Sequence, residues 1–206
     1  MLDSPSSAAL KTAVACLRRG EVIVYPTETV YGLGADATDG DALARLLALK
    51  GHRDGKPISV LIDGREMLDR ICERVTPLAS RLIARFWPGP LTLVLRAHAS
   101  LSDLLTGGSG TIGVRWSSHP IATALVTQLG RPLTAPSANP SDAAPALSVA
   151  QARGYFGSRV ACYLDGGPCA NETGSTVVDA TGDAPRVLRE GSISATALRA
   201  AAAEAA

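Results

Sequence analysis

Short apolar runs alternate with wider apolar spacings along most of the chain. The β-branched run at 21–25 is typical of a buried strand, whereas Leu10, Val14 and Leu17 recur at helical spacing over 6–19, just before Gly20. The same patterns predict strands at 58–62, 93–95, 111–116, 131–139, 160–164, 175–179 and 186–191, and helices ending near residue 50 and at 76–86, 120–129, 148–156 and 195–206. Regular alternation of strands and helices predicts an α/β fold.

Length and composition describe one globular domain. Of the 206 residues, 46% are hydrophobic and 19% are charged. No apolar run approaches the roughly 18 residues of a membrane span, and the first residues lack the basic flank and apolar core of a signal peptide. We therefore expect a single domain over 1–206, located in the cytoplasm and without a membrane association.

The cysteines and histidines do not form a metal-binding pattern. Cys16, Cys72, Cys162 and Cys169 include no CxxC pair, and the three histidines are scattered. We expect neither a zinc site nor a disulfide framework, and no metal ligand in the candidate site.

Two of the three lysines lie in one loop of a chain whose net charge is only +1. Arginine supplies 17 of the 20 basic residues, yet Lys50 and Lys56 lie together in 50–57, with His52 and Arg53 between them. A loop that combines these cations with two glycines is a good nest for a polyphosphate. A solvated basic loop is the alternative.

A second polar loop follows the strand at 21–25. Thr27, Glu28, Thr29 and Tyr31 place four hydrogen-bonding side chains in five positions, and two glycines follow in 32–34. Open α/β sheets bind ligands where a strand leads into such a loop before a helix. A tight turn with a capping box is the alternative, with Asp39 or Asp41 capping the next helix.

Further polar side chains lie near the ends of later strands. Arg115 ends an apolar strand, where a buried cation must meet either an internal carboxylate or an anionic ligand. Ser137 and Asn139 lie in a loop that offers hydroxyl and amide groups to a nucleotide or forms a capped turn. No Ser-His-Asp set, spaced carboxylate pair or P-loop is visible, so these residues suit positioning and charge neutralisation at a phosphate.

Five segments together resemble the YrdC-like family: YPTETVYGLG, WPGPLT, PSAN, GSTVVD and VLREG, which extend from about residue 25 to 191. The resemblance implies an open twisted mixed sheet with flanking helices around a deep concave site. It also implies synthesis of L-threonylcarbamoyl-AMP from L-threonine, bicarbonate and ATP, with magnesium on the phosphates and release of pyrophosphate. The product would serve N6-threonylcarbamoyladenosine modification of tRNA through partner proteins that transfer the threonylcarbamoyl group.

The resemblance also implies roles for single residues. Lys50 and Arg115 would be catalytic. L-threonine would be bound by Thr27, Arg115, Ser137 and Ser175, and ATP by Lys50, His52, Arg53, Lys56, Thr111, Ser137, Asn139 and Arg189. WPGPLT is interpreted as scaffold. The chain departs from the family pattern at His52, which takes the place of an arginine that Arg53 follows one step late, and at Ser117, Leu147 and Glu190.

Two other functions fit the same sequence. One is a binding module for double-stranded RNA or tRNA, which the net charge of +1 and eight aromatic residues support poorly. The other is a sister activity on the same fold, either a YciO-like paralogue of unsettled role or a carbamoyl-transfer domain of hydrogenase maturation. The latter normally lies within a much longer chain.

Overall fold

The computed structural model describes residues 6–51, 55–169 and 173–203 as nine strands and eight α-helices, with a 3₁₀ turn at Gly157–Arg159. The strands are β1 Ile23–Tyr25, β2 Gly32–Gly34, β3 Val60–Leu61, β4 Leu91–Arg96, β5 Thr111–Arg115, β6 Leu133–Thr134, β7 Cys162–Tyr163, β8 Thr176–Asp179 and β9 Arg186–Arg189. The helices are α1 Ser7–Arg18, α2 Gly40–Lys50, α3 Arg65–Ile71, α4 Pro77–Phe86, α5 Asp103–Thr106, α6 Pro120–Leu129, α7 Val149–Phe156 and α8 Ala195–Ala203. The predicted α/β class is confirmed.

Helix starts follow local capping chemistry. The Asp39 carboxylate accepts the N–H groups of Asp41 and Ala42 at the start of α2, which selects Asp39 over Asp41 as its cap. Thr76 caps α4, and His119 caps α6 through Nδ1, which accepts the N–H of Ile121. Both of these helices carry proline in their first turn, where its missing N–H costs no helical hydrogen bond.

The strands form two sheets. The larger has the order β6-β3-β5-β4-β8-β9 and is mixed, because β3 with β5 and β4 with β8 are parallel while its other neighbours are antiparallel. The smaller has the order β2-β1-β7. Isolated bridges join Gly32 to Ser137 and Asp36 to Leu133, so the smaller sheet abuts the β6 edge of the larger one.

Gly32–Gly34 is a strand, which corrects the expectation of a loop after β1. The segment pairs antiparallel with β1, with Gly32 opposite Tyr25. A Cβ on Gly32 would lie 3.0 Å from Cζ of the Tyr25 ring, so glycine allows the two strands to pack closely over that ring. The polar loop therefore shortens to residues 26–31.

The larger sheet has one apolar and one mixed face. In β5, Ile112 and Val114 are buried in the core, whereas Thr111, Gly113 and Arg115 alternate with them and face a cavity. Helices α3 and α5 are short, at seven and four residues, and the sequence analysis assigned no range to either. None of the described helices is long and apolar enough to cross a bilayer.

Candidate active site

A cavity of about 810 Å³ opens over the mixed face of the larger sheet. Strands β4, β5, β8 and β9 form its floor, and the segment after β6 forms one wall. Its basic lining residues are Lys50, Lys56, Arg115, Arg186 and Arg189, and its acidic ones are Asp179 and Glu190. A cavity of this size with several converging cations suits a polyanionic ligand.

Gly113 lies in the middle of this floor. Its φ is not positive, so backbone conformation does not require glycine here. A Cβ at this position would lie 3.3 Å from both Ser59 Cβ and Thr92 Cγ2 and would raise the floor between them. The missing side chain lets a ligand approach the sheet closely.

Lys50 joins helix α2 to the Ser137–Asn139 segment. It is only 6% exposed, and its Nζ donates to the carbonyl oxygens of Ser137 at 2.9 Å and Asn139 at 2.6 Å. The N–H of Ser141 donates back to the Lys50 carbonyl oxygen at 2.7 Å. Lys50 therefore shapes the wall of the cavity as well as placing a positive charge on it.

Ser137 and Asn139 occupy different positions relative to the cavity. Ser137 lines it. Asn139 is buried behind the wall, where its Nδ2 donates to the carbonyl oxygens of Pro140 and Ala143 at 2.8 and 2.7 Å. The buried Oδ1 of Asn139 accepts no hydrogen bond from any described residue.

Arg115 meets an internal carboxylate while it also lines the cavity. Its Nη2 lies 2.8 Å from Oε2 of Glu28, and its Nη1 donates to Thr29 Oγ1 at 3.1 Å. The Nη2–Oε2 contact is close, but its angles do not make it a hydrogen bond. Glu28 also accepts a hydrogen bond from the Ser117 hydroxyl. Burial alone would raise the pKa of Glu28, but the charge of Arg115 and the hydrogen bonds lower it below its ordinary value.

Thr27 lies behind Thr29 and not on the cavity surface. Its hydroxyl donates to the Val30 carbonyl oxygen at 2.7 Å and lies 3.0 Å from the Thr29 hydroxyl. The Thr27 hydroxyl proton is already donated to Val30, so in the contact between the two threonines the Thr29 hydroxyl is the donor. The Thr29 hydroxyl oxygen also accepts a hydrogen bond from Arg115. This chain of hydrogen bonds leads from the guanidinium into the β1–β2 turn.

Ser175 and Arg189 meet on the opposite side of the floor. Arg189 Nη2 donates to the Ser175 carbonyl oxygen at 2.8 Å and to its hydroxyl at 3.2 Å, and that hydroxyl lies 2.8 Å from Thr92 Oγ1. Partial burial lowers the pKa of Arg189, with the charge of Arg115 as the second cause. Thr92 belongs to the WPGPLT segment, so that segment also contributes a side chain to the lining of the cavity.

A register shift in β9 turns additional side chains toward the cavity. Val177 pairs with Arg189 and Val178 with Val187, which leaves Leu188 as an extra residue in a β-bulge. Leu188 is 50% exposed and lines the cavity with Val94 and Val177. These three aliphatic side chains form an apolar patch that the sequence analysis missed.

The remaining predicted residues divide into two groups. Lys56 and Thr111 line the cavity, and the Thr111 hydroxyl lies 2.8 Å from that of Ser109. His52 and Arg53 lie outside the described residues, so the choice between them stays open.

Arg186 and Asp179 were missed although both line the cavity. They form an ion pair of 2.8 Å at its rim. For Asp179, alternation along β8 was the available signal: residues 175, 177 and 179 recur with a period of two and share one face, as do 111, 113 and 115 in β5. Arg186 lies in β9, to which this signal does not apply.

The described lining residues offer cations, hydroxyls and main-chain groups. The described part of the chain contains no group of three or more His, Cys, Asp or Glu side chains placed to hold a metal ion. Such a site can orient an anionic substrate and neutralise charge that develops at phosphate oxygens. The fold and cavity thus define an α/β protein with a basic, partly apolar site suited to a nucleotide.

Comparisons with known proteins identify the family. A model of the Sua5/YciO/YrdC family, described as "Telomere recombination", matches residues 15–191. The threonylcarbamoyl-AMP synthase of Thiobacillus denitrificans is 42% identical over 176 residues, which cover 85% of this chain and 92% of that protein. The chain belongs to the Sua5/YciO/YrdC family.

Two solved structures share the fold. Sua5 of P. abyssi in complex with L-threonine superposes with a TM-score of 0.85 at 38% identity over 88% of this chain. The match covers 54% of the P. abyssi protein, so this chain spans about half of its length. YciO of E. coli superposes with a TM-score of 0.86 at 30% identity and covers 96% of both chains.

Proposed function

We propose that this protein is an L-threonylcarbamoyl-AMP synthase, which converts L-threonine, bicarbonate and ATP into L-threonylcarbamoyl-AMP and pyrophosphate. The observation that carries the proposal is the cavity itself, because Lys50, Arg115, Ser175 and Arg189 converge on one volume of about 810 Å³. Relatives that carry the synthase name support it, including the protein of Thiobacillus denitrificans.

Arg115, Ser137 and Ser175 would bind the amino acid and its carbamate. Arg115 is the buried cation of the cavity floor and would meet the threonine carboxylate or the carbamate. Thr27 would contribute indirectly, through Thr29. The Thr27 hydroxyl accepts a hydrogen bond from the Thr29 hydroxyl, which in turn accepts one from Arg115. L-threonine is the ligand of the P. abyssi Sua5 complex, which supports an amino-acid site on this fold.

ATP would occupy the remainder of the cavity. Lys50, Lys56 and either His52 or Arg53 would bind the phosphates, with Thr111, Ser137 and Arg189 as further contacts. Asn139 would act by holding the wall segment to which Lys50 donates. Magnesium would arrive with ATP, bound to phosphate oxygens and water rather than to a preformed protein site.

The reaction needs positioning more than acid–base chemistry. The threonine amine first combines with bicarbonate, losing water, to form a carbamate. A carbamate oxygen then attacks the α-phosphorus of ATP, and the bond to the bridging oxygen breaks as pyrophosphate leaves. Lys50 and its neighbouring cations would neutralise charge on the leaving group, and no covalent enzyme intermediate is required.

The product is an activated acyl group that partner proteins would transfer to tRNA, and the reaction would take place in the cytoplasm. The chain would act as a single domain, with at most weak direct contact to tRNA or double-stranded RNA.

Pyrophosphate release with ATP, bicarbonate and magnesium, measured with and without L-threonine, tests the proposal. We expect threonine-dependent release, with L-serine a poorer substrate. ATP binding without any threonine-dependent release would contradict it and favour a YciO-like paralogue. Salt-dependent RNA binding without turnover would favour a nucleic-acid-binding module instead.

A further inference from the structure

Arg115 is held from behind by residues that do not line the cavity. Its side chain is 7% exposed, and its described polar contacts are Glu28 and Thr29. The buried Nε and Nη2 of Arg115 make no hydrogen bond to any described residue, and neither does the buried Oε1 of Glu28. The guanidinium orientation therefore depends on few contacts, of which the Glu28 carboxylate is the only charged one in the described structure.

Ser117 fixes that carboxylate. Its hydroxyl donates to Glu28 Oε2 and accepts the N–H of His119 at 3.1 Å, where the chain enters α6. The Ser117 carbonyl oxygen accepts the hydroxyl of Thr123 at 3.0 Å, and the residue is only 2% exposed. Ser117 thus has a rigid position, set by the start of α6.

We propose that Ser117 and Glu28 are positioning residues for the amino-acid half of the reaction: Ser117 orients Glu28, and Glu28 orients the guanidinium of Arg115 toward the bound amino acid. The inference rests on the proposed function and deepens it. It assigns a role to two residues that touch neither substrate.

The charge arrangement favours the same conclusion. Glu28 compensates the buried charge of Arg115, so this end of the cavity has little net charge, which matches a zwitterionic amino acid better than a polyphosphate. Lys56 lines the cavity as an exposed residue and Arg189 contacts Ser175 rather than a carboxylate. Orientation of Arg115 should consequently affect amino-acid binding far more than ATP binding.

Ser117→Ala is the first test, with Ser118→Ala as the matched control. Ser118 is the next residue in the chain and is exposed, so its loss should change neither fold nor kinetics. Loss of one hydrogen bond to a charged group should raise the KM for L-threonine by roughly tenfold or more, while the KM for ATP changes by less than about twofold. Glu28→Gln, which removes the charge but keeps the shape, should raise the threonine KM further.

A structural role alone would give a different pattern. If Ser117→Ala lowers the melting temperature and leaves the kinetics unchanged, the positioning role is wrong. The same conclusion follows if the variant, assayed below its melting temperature, raises the KM for L-threonine and the KM for ATP equally. If Ser117→Ala does not fold, the same split between the two KM values in Glu28→Gln decides the question.

Side-chain NMR separates this inference from the proposed function. In ¹⁵N-arginine-labelled protein, the Arg115 side chain should give resolved, slowly exchanging signals that broaden or collapse in Ser117→Ala and persist in Ser118→Ala. Absence of threonine-dependent turnover in the wild type would refute the proposed function and, with it, the threonine role. Unchanged Arg115 signals in Ser117→Ala would overturn the positioning role whatever the wild type catalyses.

Discussion

Replacing Lys50 by methionine should remove activity and also lower stability. The Lys50 ammonium donates to two carbonyl oxygens, those of Ser137 and Asn139, and the side chain is almost fully buried. Methionine preserves most of the volume, so the loss of packing is small. The two lost hydrogen bonds come from a charged donor, and their removal should cost about 3–6 kcal/mol of unfolding free energy.

This cost sets the conditions of the assay. For a chain of this length, 1 kcal/mol shifts the melting temperature by about 2–4 °C, so Lys50→Met should melt on the order of 10 °C lower than the wild type. Most of the range of total stabilities, about 5–15 kcal/mol, exceeds this cost, so we expect the variant to be folded at low temperature, which its melting curve checks. Threonine-dependent pyrophosphate release should therefore be measured well below the midpoint, where loss of activity reports the missing charge and not unfolding.

The other two lysines provide the controls. Lys56→Met removes an exposed cation that lines the cavity and should reduce activity without lowering the melting temperature. Lys11→Met, on the exposed face of α1, should change neither quantity. The reasoning fails if Lys50→Met keeps its melting temperature, or if it releases pyrophosphate within about tenfold of the wild-type rate while folded.

Three further outcomes are expected. Because the pKa of Glu28 in the folded protein is below its ordinary value of 4.5, ionisation of Glu28 stabilises the fold above that pH. The difference in unfolding free energy between wild type and Glu28→Gln should therefore shrink as urea titrations are run at lower pH. A difference that stays constant with pH would contradict this. If the apolar patch holds the adenine base, Leu188→Ala should weaken binding of ATP but not of tripolyphosphate. The control Leu104→Ala, at a leucine that is 44% exposed and lies outside the cavity, should weaken binding of neither ligand. Equal losses of ATP and tripolyphosphate binding in Leu188→Ala would exclude a role of the patch in holding the base. Gly107→Ala should lower the melting temperature, because Gly107 has a φ of +61° and a Cβ would collide with the Gly55 carbonyl oxygen; an unchanged midpoint would refute that contact.

Elements defined by local chemistry were the ones that the sequence predicted best. Pro120–Leu129 agrees at both ends, since a capping histidine, a first-turn proline and Gly130 all act within a few residues. Gly32–Gly34 could not be predicted as a strand, because its conformation comes from pairing with β1 and from packing over Tyr25. Local propensity of a Gly-Leu-Gly sequence contains no information about that partner.

The same distinction applies to the site. Motif positions identified Lys50, Arg115, Ser137 and Arg189, all of which line the cavity. The bulge that turns Leu188 toward the cavity depends on how β9 pairs with β8, which a single sequence does not specify.

Burial separates two arginine–carboxylate pairs that have the same interatomic distance. Arg186 and Asp179 are 2.8 Å apart with the arginine side chain 73% exposed, whereas Arg115 and Glu28 are 2.8 Å apart with the arginine 7% exposed. Water and salt screen the first pair, so it adds little stability and leaves Arg186 able to follow a mobile anion at the rim. Desolvation makes the second pair costly to break, because either partner alone would be a buried, uncompensated charge. The cavity therefore combines a fixed cation in its floor with an adjustable one at its mouth. This arrangement is expected when a small amino acid must be held where one end of a flexible triphosphate can reach it.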